Sequence, residues 1–171
     1  MAFVVETGAG LSNSNSYASV AAADSYFADR GVTSWAALTT TAKEQALIKG
    51  TDYLEQTYRE SWKGYRVTST QSLSWPRSEV IVDTFPVAAN IVPSAIVKAC
   101  VEMALRASDG EDLIADLGQQ IIKEKVDVIE TTYAEFGSLS ARYPAVNRLV
   151  LPYLYSSTSD GGFTQARVVR T

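Results

Sequence analysis

PSAIVKACVEMALRA, residues Pro93–Ala107, is the strongest helical stretch of the chain. Pro93 suits a first helical position, where its missing N–H costs nothing. Ile96, Val97, Cys100, Val101, Ala104 and Leu105 recur at helical spacing, with Ala95, Ala99 and Met103 widening the apolar face. Lys98, Glu102 and Arg106 lie four apart on the other side, placed to pair along it. Asp109-Gly110 supplies the stop, since glycine takes the left-handed conformation that helix C-termini favour. A face this broad needs cover from more than one neighbour, so this is read as the central core helix.

Two further helices flank it in the sequence. Ser19 is placed to cap Val20–Arg30, with Gly31 as the stop and Val20, Ala23 and Phe27 on one face, Tyr26 alongside. Trp35 and Leu38 follow in a connector that reads as a lid on the core. Thr41-Ala42-Lys43-Glu44 has the spacing of a capping box and predicts a long helix over Ala42–Tyr58. Leu47, Leu54 and Tyr58 form its stripe, with Ala46, Gly50 and Tyr53 beside it. Gly50 is unfavourable inside a helix and predicts a close approach by a second helix. A last helix is expected over Pro144–Tyr155, with Val146, Leu149, Val150 and Leu154 inward and Pro152 kinking or shortening it.

Between these lie extended segments. Residues 62–77, WKGYRVTSTQSLSWPR, are broken by Gly64 and Pro76, and Tyr65, Val67, Leu73 and Trp75 suggest extended backbone. From Arg59 to Arg77 the basic residues Arg59, Lys63, Arg66 and Arg77 face only Glu60. Basic residues interleaved with Trp62, Tyr65 and Trp75 can stack and neutralise a single strand of nucleic acid. The favoured reading makes the tryptophans core or subunit-interface residues with arginines stacked on them. Residues 78–92 read as an irregular loop in which Val80, Ile81 and Val82 pair briefly. IIKEKVDVIETTYAE, Ile121–Glu135, is rich in strand formers and predicts a hairpin or edge strand near Lys123–Tyr133. Asp127 and Glu130 there read as solvated charges, as do Asp109, Glu111, Asp112 and Asp116, which lack the spacing of a calcium loop. Gly8-Ala9-Gly10 begins like a dinucleotide fingerprint, but Asn13 stands at the third glycine, so the loop reads as a flexible or partner-contacting segment. Residues 156–171, SSTSDGGFTQARVVRT, have too little apolar content to fold alone and suit a tail that orders on a partner. The expected organisation is one mainly α domain over 1–155, about four helices with a β-hairpin or extended loops, and flexible termini.

Composition bounds the function. The 171 residues are 46% hydrophobic and 20% charged, enough for a real core. Net charge is −4 and pI about 4.9, which argues against a generic nucleic-acid binder. There is no histidine, which excludes Ser-His-Asp and Cys-His catalysis and histidine-ligated zinc. The lone Cys100 cannot build a four-cysteine zinc site or an intrachain disulfide, and reads as a small core residue. The first residues lack a signal peptide's pattern, and no run reaches the ~20 apolar residues a bilayer requires. A soluble protein made in a cytoplasm is expected, with no cofactor, no membrane association and no enzymatic role.

Several stretches in order resemble one phage family. They are Asn15-Ser16-Tyr17 running into SVAAADSYFADRG, then GTDYLEQ, the GYR…QSLSWPR block, VPSAIVKACVEMALRA, KEKVDVIETTY and YPAVNRLVLPYL. Over about Val4–Tyr155 the chain is similar to the tailed-phage proteins labelled DnaT-like single-stranded-DNA-binding proteins, and to head-tail adaptor, or head-completion, proteins of the phage neck. The adaptor resemblance implies a small helical domain that forms a homo-oligomeric ring, usually a dodecamer. It would sit between the portal protein and a tail-proximal neck protein, a stopper or tail terminator. Genomic DNA would pass through without sequence-specific binding, and the protein would reside in the virion neck after synthesis in the bacterial host cytoplasm. The DnaT-like label implies single-stranded-DNA binding in replication. For the adaptor, composition nominates Phe163, Arg167, Val168, Val169 and Arg170 for the portal contact. Trp62, Tyr65, Arg66, Trp75, Arg77, Lys125, Ile129 and Tyr133 are nominated for the subunit interface.

Overall fold

Ser19 opens the first helix, α1 (Val20–Ala28), its hydroxyl accepting the Ala22 N–H at 3.1 Å. Such a cap contributes about 1 kcal/mol. Gly31, at φ +68°, takes the chain out of it. The short helix α2 (Thr33–Ala36) then places Trp35 in the core against Phe27, ring centroids 5.0 Å apart. Asp24 on α1 accepts from the Trp35 indole and pairs with Lys43, both at 2.8 Å, which fastens this lid to the next helix. The computed structural model describes residues 2–114, 123–126, 129–132 and 143–155.

The long helix α3 (Thr40–Tyr58) starts two residues before the expected Ala42. Its cap is Thr39, whose hydroxyl accepts from Ala42 N–H, and not Thr41. Three consecutive threonines offer three possible caps, and the extended backbone at Thr39 (φ −69°, ψ 156°) selects the first. The expected stripe is the buried one: Ala46, Leu47, Gly50, Tyr53, Leu54 and Tyr58, joined by Thr51.

The central helix α4 (Ser94–Ser108) packs on α3, on α1 and on the last helix, α5 (Pro144–Val150). Pro93 sits one position before α4, its carbonyl accepting from Ile96 and Val97. The inward side of α4 is turned toward Ala99 and Met103, while Val97 and Leu105 are only half-buried. Gly50 lies at the contact with α4: a Cβ there would stand 2.6 Å from the Cys100 carbonyl oxygen and 3.0 Å from Ala104 N. The two helices therefore touch backbone to backbone. Gly50→Ala should destabilise the chain by about 2 kcal/mol, although alanine is the better helix former by about 1 kcal/mol. A thermal melt checks this; a rise in Tm would mean that the helices do not approach this closely.

After α5 a single 3-10 turn, Leu151–Tyr153, contains Pro152, so the last helix is cut short as its proline predicts. Three two-stranded antiparallel ladders complete the described residues: β1 (Tyr65–Arg66) with β2 (Arg77–Ser78), β3 (Ile81–Val82) with β4 (Phe85–Pro86), and β5 (Lys123–Val126) with β6 (Ile129–Thr132). The last is the hairpin expected near Lys123–Tyr133, with Val126 opposite Ile129. The loop over 78–92 holds the β3–β4 hairpin, so it is more regular than its composition implies. The fold is mainly α with small strands. No helix among the described residues is long and apolar enough to cross a membrane.

Candidate functional site

The aromatic-basic block turns inward. Trp62 and Trp75 are 1% and 0% exposed, so neither ring can stack on a base or meet a neighbouring subunit. They pack edge to face at 5.8 Å, and Tyr153 closes on Trp75 at 5.7 Å. Neither indole N–H finds an acceptor among the described residues, so the rings are held by packing.

Arg77 holds the block together. Its Nε donates to the Lys63 carbonyl at 2.7 Å and its Nη2 to the Gly64 carbonyl at 2.6 Å. Longer bonds reach the carbonyls of Trp62 (3.4 Å) and Ser74 (3.3 Å). The guanidinium is thus a five-donor fork spread over four backbone acceptors. It is not stacked on a tryptophan, contrary to the sequence expectation: the carbonyls lie in the plane of its donors, where a ring face offers only a weaker attraction. Burial pushes its pKa down, which nearby Tyr155, Tyr17 and Glu55 partly offset.

A second polar knot ties the block to α3. Glu55 accepts from the Tyr17 hydroxyl, from Ser74 N–H and from Ser74 Oγ at 2.7 Å. The Tyr17 oxygen in turn accepts from Trp75 N–H at 3.2 Å. Burial, then the Glu55 carboxylate, pushes the Tyr17 pKa well up, so the hydroxyl stays protonated and remains a donor. Gln71, also buried, donates to the Leu73 and Pro76 carbonyls at 2.9 and 3.0 Å.

The glycine loop near the N-terminus does cradle an anion, but the anion belongs to the chain. Glu6 is 2% exposed, and its carboxylate accepts from the N–H groups of Gly8, Gly10 and Leu11 and from Ser14 Oγ, all at 2.8–3.1 Å. Ser72 fastens the same loop to the aromatic block through Leu11 and Ser14. The loop is therefore tied down, not the flexible segment that its composition suggests. Its donors are already used.

Large apolar side chains also remain outside. Tyr65 is 63% exposed, Ile81 58%, Phe85 73%, Leu151 57% and Tyr155 56%. These residues sit on adjoining segments. Lys63 Nζ donates to the carbonyls of Ile81 and Pro152, and Gly64 N–H donates to the Tyr155 hydroxyl. The hairpin that carries Ile81 and Phe85 turns through Asp83 and Thr84, at φ +50° and +71°. That two-residue geometry matches strand twist, yet neither position is the glycine that would adopt it freely. A tightly formed turn thus presents two large apolar side chains to solvent.

A family model described as "Putative DnaT-like ssDNA binding protein" matches residues 1–171. The chain belongs to this DnaT-like family. No curated protein and no solved structure matches it. For a DnaT-like chain the distribution of the nominated residues is instructive. Of the subunit-interface set, Trp62 and Trp75 are buried in the chain's own core and Arg77 is spent on its own backbone carbonyls, which corrects their nomination: rings without exposed surface and a guanidinium already engaged have little left for a neighbour. Tyr65 is exposed and Arg66 half-buried. Lys125 and Ile129 lie on β5 and β6, and Tyr133 lies outside the described residues. The portal set, Phe163, Arg167, Val168, Val169 and Arg170, also lies outside them. Sequence reading missed Phe85, Leu151 and Tyr155 as exposed apolar residues. The only signal was their position next to Pro86, Pro152 and the polar tail, which marks chain ends and turns without saying which side faces out. Among the described residues no group of three or more His, Cys, Asp or Glu side chains could hold a metal ion.

Proposed function

We propose that this DnaT-like chain is a structural assembly protein, the head-tail adaptor of a tailed-phage neck. In this reading its copies form a ring between the portal protein and a tail-proximal neck protein. The observation that carries the proposal is the exposed apolar set Tyr65, Ile81, Phe85, Leu151 and Tyr155, the first three on short paired strands and Leu151 on the 3-10 turn. Exposed aromatic and aliphatic side chains on a fixed backbone are the chemistry of a protein interface. A heterologous, head-to-tail contact closes into a ring when its rotation allows. The net charge of −4 suits a channel lining that lets DNA pass without gripping phosphate. The C-terminal residues Phe163, Arg167, Val168, Val169 and Arg170 would meet the portal.

The family description favours a second reading, single-stranded-DNA binding. Its structural support is confined to the exposed rings of Tyr65, Phe85 and Tyr155, with Lys63 and Arg66 close by in sequence. Counting this chain in purified virions against the major capsid protein separates the two. About a dozen copies per particle, as a closed neck ring requires, supports the adaptor. Absence from particles, together with single-stranded-DNA binding that weakens steeply with salt and is lost in Phe85→Ala, overturns it in favour of the second reading.

A further inference from the structure

A cleft of about 530 Å³ lies between α1 and the start of α4. Ala22, Val92 and Val97 give it apolar walls. Its cations are Arg30 and Lys98, against one carboxylate, Asp29. Arg30 is held in place: its guanidinium lies 3.5 Å from the centre of the Tyr26 ring, and Nη1 donates to the Tyr26 carbonyl at 2.9 Å. The cleft thus combines apolar surface with an excess of positive charge.

The β3–β4 hairpin projects and carries the opposite charge. Residues 79–92 hold two charged side chains, Glu79 and Asp83, both negative. Phe85, 73% exposed, follows the turn directly. That turn runs through Asp83 and Thr84 at positive φ, a conformation that is unfavourable for residues other than glycine. It fixes the backbone that presents Phe85, and a segment already fixed loses less freedom on binding. The ion pairs among the described residues, Lys43–Asp24 and Arg106–Glu102, use none of Arg30, Lys98, Glu79 and Asp83. On one chain the two surfaces are separate. The hairpin packs on the turn Leu151–Tyr153, and none of residues 79–91 lines the cleft. An apolar, acidic projection and an apolar, basic recess on different parts of one molecule satisfy each other between copies.

We infer that the β3–β4 hairpin of one copy inserts Phe85 into the α1–α4 cleft of a second copy, with Asp83 at Arg30 and Lys98. The contact presupposes the assembly role proposed above and supplies it with a head-to-tail interface.

The test is sedimentation of the full chain at increasing concentration, with thermal melts to show that each variant is folded. The parent chain should self-associate. Phe85→Ala should weaken association at least tenfold. Asp83→Lys and Lys98→Glu should each do the same, since each sets like charges against one another across the contact. Mixing these two charge variants should restore association as a 1:1 dimer, because the reversed hairpin then meets the reversed cleft. A parent chain that stays monomeric at millimolar concentration would overturn the inference. So would association that survives Phe85→Ala or Asp83→Lys, and so would a loss that mixing does not repair, which would send the hairpin to another surface. Virion copy number is read independently. Ring stoichiometry in particles with a failed mixing test keeps the adaptor reading and removes this contact; absence from particles with successful repair does the reverse.

Discussion

Trp75→Ala should lower the unfolding free energy by about 3–5 kcal/mol, the range for truncating a buried aromatic residue. Trp75 is 0% exposed and its ring is enclosed by Trp62 and Tyr153. The cavity left behind cannot collapse easily, because Ser74 and Arg77 on either side are pinned by hydrogen bonds to Glu55 and to backbone carbonyls. For a chain of this size the loss corresponds to a fall in Tm of about 10 °C. Phe85→Ala is the matched control. Phe85 is 73% exposed, so its removal should change stability by no more than about 0.5 kcal/mol. Thermal melts of the two variants decide the point. A Trp75→Ala protein as stable as the parent would return the ring to the surface and revive a stacking role for it.

Arg77→Lys and Arg77→Ala form the second test. Arg77→Ala strands the carbonyls of Trp62, Lys63, Gly64 and Ser74 without their donors, at a cost of about 3–4 kcal/mol once some water has entered. Arg77→Lys keeps the charge but replaces the planar fork by a compact ammonium that cannot span four acceptors. It should recover less than half of that loss. A surface arginine that merely attracts phosphate would behave differently: lysine would substitute almost fully, and stability would hardly move in either variant. Urea denaturation at constant m-value separates these outcomes through the midpoint. A stable Arg77→Lys protein would place the guanidinium outside the knot.

The helices were legible because their signals are local. Ser19 before an apolar face, Gly31 and Gly110 as stops, and Pro152 as a breaker each act within a turn of chain, and α1, α4 and α5 lie close to where those signals put them. Gly50 was legible for the same reason, since a glycine inside an otherwise good helix has few uses other than close approach. The β5–β6 hairpin followed from strand-forming residues in sequence. The WKGYR…SLSWPR block was legible only as two alternatives. Interleaved rings and cations read alike whether they stack on a nucleic acid or fold over a core, because the difference is which side faces solvent.

The class of fold, the central helix, the close helix crossing and the absence of histidine chemistry all follow from residue identity and short-range spacing. Packing of the whole chain sets the rest: Arg77 binds carbonyls, Glu6 fills the glycine loop, and Phe85, Leu151 and Tyr155 stay outside while Trp62 and Trp75 go in. The physical reason is distance along the chain. Tyr153 meets Trp75, Ser72 meets Ser14 and Tyr155 meets Ser61 across long stretches of sequence. Burial, which settles whether a ring is core or contact, is a property of the packed chain and of no segment alone.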